Sequence, residues 1–362
     1  MEITAGAIRL YFLFDVGDTI DLRSLRLIEA EDLAPADIPL RQHASPAYLQ
    51  FPVPPLVARL PDASFDDLRA SVRVKFFDYG VVSLRLSFDA RGSWDALEAL
   101  AARIRRSDAF LRHASALVAR ICDELGDALD DRHDPLVEDY LVIDIDRFER
   151  PIASEELLRD HAPGLARLLL AEDGTLARTE VDEVLRTRFS YLADDLTVVQ
   201  WDTAFVYDRR ESSDAIQDIL EFANSQLLEL RTYDAQLDRE LDVIYADAPA
   251  GRTRSLLGRR EAERAAEVRY LIVDVLELID RSTNALKIVG DAYYARIYRT
   301  AALRLGLADW QSQIDRKLAS VGDMYRFLTD ESRSRRDEFM ELIVIVLIAL
   351  EVVIGVVTLM RH

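Results

Sequence analysis

The acidic stretch Glu138–Phe148 holds the residues best placed to do chemistry. It alternates polar and apolar side chains and carries Asp139, Asp144 and Asp146. A strand's period of two would set Asp144 and Asp146 on one face. Two carboxylates so placed could hold a divalent cation or divide acid and base roles, the chemistry of a metal-assisted hydrolase. The pairs Asp66-Asp67, Asp130-Asp131, Glu138-Asp139 and Asp194-Asp195 offer the same chemistry more weakly. With 65 acidic residues in 362, such pairs arise by chance, and a solvated turn or a charged outer strand face is the ordinary reading of each.

Other signatures of catalysis are missing from the sequence. The five histidines, at 43, 113, 133, 161 and 362, have no metal-ligand spacing. No glycine-rich phosphate loop precedes a lysine, and no Gly-x-Ser-x-Gly elbow occurs. Cys122 is the only cysteine and sits in an apolar helical context, as a small buried hydrophobe would. Arg252, Arg254, Arg259, Arg260 and Arg264 could contact RNA or another anionic partner, making the protein a ribosome or RNA tether. Glu261, Glu263 and Glu267 interleave them, which suits a salt-bridged exposed helix better. No catalytic, cofactor-binding or metal-binding residue is therefore assigned, and no enzyme is expected.

The elements that would position these residues read as α+β. The first 208 residues form a mixed α/β head, with strands expected at Ile8–Val16, Val72–Leu86 around Asp78-Tyr79-Gly80, Glu138–Phe148 and Thr197–Tyr207. Helices are expected over 93–129, broken near Ser107, and over 155–171. From Ser213 the period changes to seven. Ile216, Ala223, Leu230, Leu237 and Ile244 form one row, and Leu220, Leu227, Asp234 and Leu241 the other. Ile272, Val275 and Ile279 continue the device in a second long helix after Pro249-Ala250-Gly251. Residues 209–331 are thus expected as a coiled-coil-like antiparallel hairpin and stalk, packing within and between copies.

Residues 332–362 read as a C-terminal transmembrane anchor. Leu342 to Leu350 and Val352 to Met360 are apolar apart from Thr358, with Glu351 between them. Nineteen residues span about 28 Å as a helix, close to the thickness of a bilayer core. Leu342, Ile345, Leu347, Ile348, Glu351, Ile354 and Gly355 would line that anchor. Arg333, Arg335 and Arg336 precede it, which predicts a cytoplasmic body. The acidity behind the net charge of −20 lies in the first 250 residues and argues against general nucleic-acid binding, a local basic patch excepted.

Several segments resemble a known family: Val74-Lys75-Phe76-Phe77-Asp78-Tyr79-Gly80-Val81-Val82, then Gly290-Asp291-Ala292-Tyr293-Tyr294-Ala295-Arg296-Ile297-Tyr298-Arg299, and the tail bracketed by Glu341 and Glu351. These resemble the bacterial YagE-type and eukaryotic "required for meiotic nuclear division" proteins. That resemblance implies membrane anchoring, oligomerisation and no established catalytic residues. The reading that follows is a homo-oligomeric scaffold or tether of the bacterial inner membrane. Its head would hold an unknown cytoplasmic protein.

Overall fold

Strand β1 (Glu2–Asp15) is the spine of the structure, here a computed structural model that describes residues 1–25, 31–35, 51, 53–208, 210–247, 273, 275 and 292–323. Its second half is buried on both faces, the pattern of a strand covered from both sides. It pairs antiparallel with β6 (Val81–Asp89) on one edge and β9 (Leu136–Phe148) on the other. Beyond β6 lie β5 (Leu68–Phe76), β4 (Leu56–Phe65) and β3 (Glu31–Pro35). Beyond β9 lie β12 (Thr203–Tyr207), β11 (Leu196–Val199) and β10 (Arg188–Phe189). The short β7 (Gly92–Ser93) joins the start of β1, completing a ten-stranded sheet. All of its pairings are antiparallel except β9 with β12. A separate two-residue ladder links β2 (Thr19–Ile20) to β8 (Leu129–Asp130).

Alternation along the strands sorts the two faces. Ile8, Leu10, Phe12 and Phe14 of β1, with Leu84, Leu86, Leu141, Ile143 and Ile145, face the main apolar core. Helices α1 (Trp94–Arg105), α2 (Ala109–Leu125), α3 (Ser154–Leu170) and α4 (Arg178–Val184) close that core. Ser93 caps α1 by accepting from the Ala96 N–H, and the chain breaks at 106–108 before α2, as Ser107 suggested. The expected strand over Thr197–Tyr207 is instead a hairpin, split into β11 and β12 by the turn at 200–202.

The opposite face carries Arg9, Tyr11, Lys75 and Asp144, and the first part of helix α5 (Arg210–Asp247), up to Thr232, lies against it. Helix α6 (Ala292–Arg304) packs beside α5, where Tyr298 stacks on Phe222 and donates to Gln226 Oε1. The chain divides into two compact units: Met1–Thr232 with Leu276–Gln311, and Tyr233–Val275 with Ser312–His362. In the second unit, Lys317 lies 2.6 Å from both Asp234 and Asp238, and Gln313 donates to Asp234.

The expected fold class is corrected in one respect. The protein is mixed α/β around a large sheet, and among the described residues no helix is long and apolar enough to cross a membrane. The proposed anchor residues Leu342, Ile345, Leu347, Ile348, Glu351, Ile354 and Gly355 lie outside the described residues. That expectation rested on apolar length, the flanking arginines and the family resemblance, with Glu351 counting against it by about 3 kcal/mol at a bilayer centre. The transmembrane anchor is withdrawn from the fold.

Candidate functional site

The face of the sheet beneath α5 is where the sequence concentrates buried charge. β1 supplies Arg9 and Tyr11, β5 supplies Lys75, β6 supplies Ser83 and Arg85, and β9 supplies Glu138 and Asp144. All stand at alternate positions, opposite the residues that fill the apolar core. α5 answers with Ser213, Asp214, Gln217, Asp218 and Glu221, which helical spacing gathers on one side.

Contacts run the length of this seam. Arg9 donates to Asp144, whose other carboxylate oxygen accepts from the Ser213 hydroxyl. Asp214 lies 3.9 Å from the second Arg9 amino group. Tyr11 Oη donates to Gln217 Oε1 at 3.0 Å, and Gln217 in turn donates to the Ser213 hydroxyl at 2.9 Å. Lys75 Nζ donates to Asp218 at 2.8 Å and to Glu221. Tyr79 and Ser225 share a hydrogen bond at 2.8 Å, and Arg231 pairs with Glu138. Ser83 Oγ and Arg85 Nε are buried there without a hydrogen-bond partner.

Burial sets the electrostatics. It pulls the Lys75 ammonium down, but Asp218 and Glu221 outweigh it and leave the group well above the ordinary lysine value. Burial pushes the Asp144 carboxyl up, against the opposing pull of Arg9 and Ser213. It raises the Tyr11 phenol too, with Arg85 and Arg9 pulling the other way and Glu221 adding to the rise. Lys75 and Asp144 are each held by an opposite charge, the condition under which a buried ion is tolerated.

The acidic strand separates as its alternation requires. Asp144 and Asp146 share the α5 face, with Asp144 buried and Asp146 Oδ1 buried without a hydrogen-bond partner. Asp139 projects from the other face, near Asp202 and Arg105. Among the described residues no group of three or more metal-ligating side chains converges. Of the helix-packing rows, Ile216, Leu220, Leu227, Leu230, Leu237 and Val275 are buried within the chain, and Leu241 is half-buried. Ile244 carries no described side chain, and Ile272, Ile279, Arg252, Arg254, Arg259 and Arg260 lie outside the described residues.

Sequence reasoning overlooked Arg9, Tyr11, Lys75, Arg85, Ser213, Gln217, Asp218 and Glu221. Two signals were available. A charge recurs at even spacing inside otherwise apolar strands, and the acids of α5 cluster opposite its apolar rows.

A family model described as "Uncharacterized protein MJ0711, N-terminal domain" matches residues 5–214, from β1 through the first turn of α5. The "Uncharacterized protein MJ0711" of Methanocaldococcus jannaschii is 22% identical over 226 residues, which is 61% of this chain and 67% of that protein. No solved structure matches the chain. These findings correct the resemblance to YagE-type and meiotic nuclear division proteins, which rested on short segments. The bacterial inner-membrane assignment falls with it: the relative comes from an archaeon, and among the described residues no helix could span a membrane.

Proposed function

We propose that this chain, which belongs to the MJ0711 N-terminal-domain family, is a homo-oligomeric scaffold that holds a protein partner, and not a catalyst. The observation that supports this is the seam itself. Ionisable groups under α5 are paired across two elements: Arg9 with Asp144, Lys75 with Asp218 and Glu221, and, at the more exposed end, Arg231 with Glu138. Charges committed in that way fix the position of a long helix on a sheet, and a fixed platform is what a scaffold needs. A general acid or base would instead be within reach of a substrate.

Light scattering on the purified chain across a hundredfold range of concentration tests the reading. A defined multimer above a threshold concentration is expected. A monomer throughout that range overturns it.

A further inference from the structure

Two neighbouring segments of this strongly acidic protein, among several such along the chain, contain arginine and no carboxylate. One is 186–192, through β10; the other is α6. The fold lays them side by side. Arg304 Nη2 donates to Thr187 Oγ1 at 2.6 Å, the Arg296 guanidinium lies 5.9 Å from the Phe189 ring centre, and the Tyr293 and Tyr191 rings are 5.5 Å apart. α6 therefore runs antiparallel to 187–191, along the outermost strand of the sheet. Its outward residues Arg296, Arg299 and Leu303 recur at helical spacing, and all three are exposed.

Large apolar side chains stand in water beside these arginines. Leu303 is 79% exposed, Trp201 67%, Tyr191 62% and Leu192 50%. Tyr191 and Leu192 follow β10 directly. Trp201 sits in the β11–β12 turn, which the Gln200 side chain ties to the Val184 carbonyl just before β10. Exposed tryptophan, tyrosine and arginine together are the composition of an interface hot spot. The aliphatic Leu192 and Leu303 favour a protein over a nucleic acid, which would call for stacking surfaces alone.

Charge identifies the protein. Residues 123–139 of the same chain hold eight carboxylates against one arginine, and Asp123, Asp127, Asp130, Asp131, Asp134 and Asp139 are exposed. We propose that the arginine–aromatic face of α6 and β10 binds the acidic lobe 123–139 of a second copy, so that copies associate head to tail. This rests on the oligomeric reading above and names its interface. The two patches differ, so the contact is heterologous, and each copy keeps one unused patch of each kind until a ring closes or a filament grows.

Two variants test the geometry. Arg296→Glu with Arg299→Glu spoils the basic face, and Asp127→Asn with Asp130→Asn weakens the acidic lobe. All four side chains are exposed, so both variants are expected to fold, as circular dichroism and melting temperature check. Each alone is expected to raise the self-association constant for dissociation at least tenfold. An equimolar mixture is expected to form a dimer and nothing larger, because only one intact pair of patches remains. Association by the wild type is expected to weaken as salt rises past 0.15 M.

If the wild type is a monomer, the scaffold reading fails. If the wild type is a multimer and both variants match it, that reading stands and this interface is wrong. If the arginine variant loses binding to a single-stranded RNA oligomer while its multimer is unchanged, the face serves nucleic acid and the proposal is overturned.

Discussion

Lys75 and Lys317 are two of only three lysines in the chain, and each gathers two carboxylates on a single nitrogen. Arginine serves nearly everywhere else. A compact ammonium fits between two acids a helical turn apart, where a planar guanidinium would need a wider fork. Asp234 stood out in the sequence as the polar residue in an apolar row, and Lys317 explains it. Arg9 stood out less, because its partner Asp144 is 135 positions away and nothing local names it. Asp144→Ala would take from the buried Arg9 its hydrogen-bonded carboxylate and leave only Asp214, 3.9 Å from its second amino group, at a cost of roughly 3 kcal/mol in urea unfolding. Replacing both, Arg9→Met with Asp144→Leu, is expected to recover most of that loss. His133 gives a pH dependence of its own. Its hydrogen bond to Asp15 raises its pKa from 6.5, burial opposing and the attraction of Asp15 and Asp18 adding to it. The folded state therefore binds that proton more tightly. This contribution to stability is complete below pH 6.5 and is lost as pH rises through the raised value. Wild-type melting temperature is expected to fall across that window, and His133→Gln is expected to show no such step.

The elements with strong local signals were legible: β6 and β9 by alternation, α1 and α2 by period and by the break at Ser107. α5 was legible as a helix but not in its surroundings. Its period of seven suggested partners in other helices, whereas Ile216, Leu220, Leu227 and Leu230 are buried in a fold where sheet and α6 both press on it. Between 219 and 230 every residue is buried, so the polar side of the helix meets protein and not water. Periodicity reports which residues are alike and is silent about what covers them. The β5–β6 turn shows the opposite case, where one residue dictates an element. Gly80 has φ +83°, and a Cβ there would stand 1.6 Å from the Gly17 carbonyl oxygen. The Gly80 carbonyl also accepts from the Val16 N–H at 3.0 Å, joining the turn to the end of β1. Gly80→Ala is expected to cost on the order of 3 kcal/mol, measured as a lowered urea midpoint with unchanged slope.

On the scale of the whole molecule, one sheet is faced by two different materials. The α1–α4 side is apolar, and the α5 side is threaded with ion pairs. The strand order could not be read from the sequence because β1, at the very start of the chain, lies between β6 and β9. Local patterning carries no information about partners chosen at such a distance, and the parallel step from β9 to β12 is equally invisible. That placement has a consequence during synthesis. Ile8–Phe14 leaves the ribosome well before its second neighbour, which is finished only at Phe148. At ordinary rates of elongation, this apolar, β-prone stretch waits about 7 to 27 s for its second edge. Throughout that interval it offers open backbone groups to any other nascent chain, so the yield of soluble protein in cells depends on translation speed and on chaperones that shield this strand.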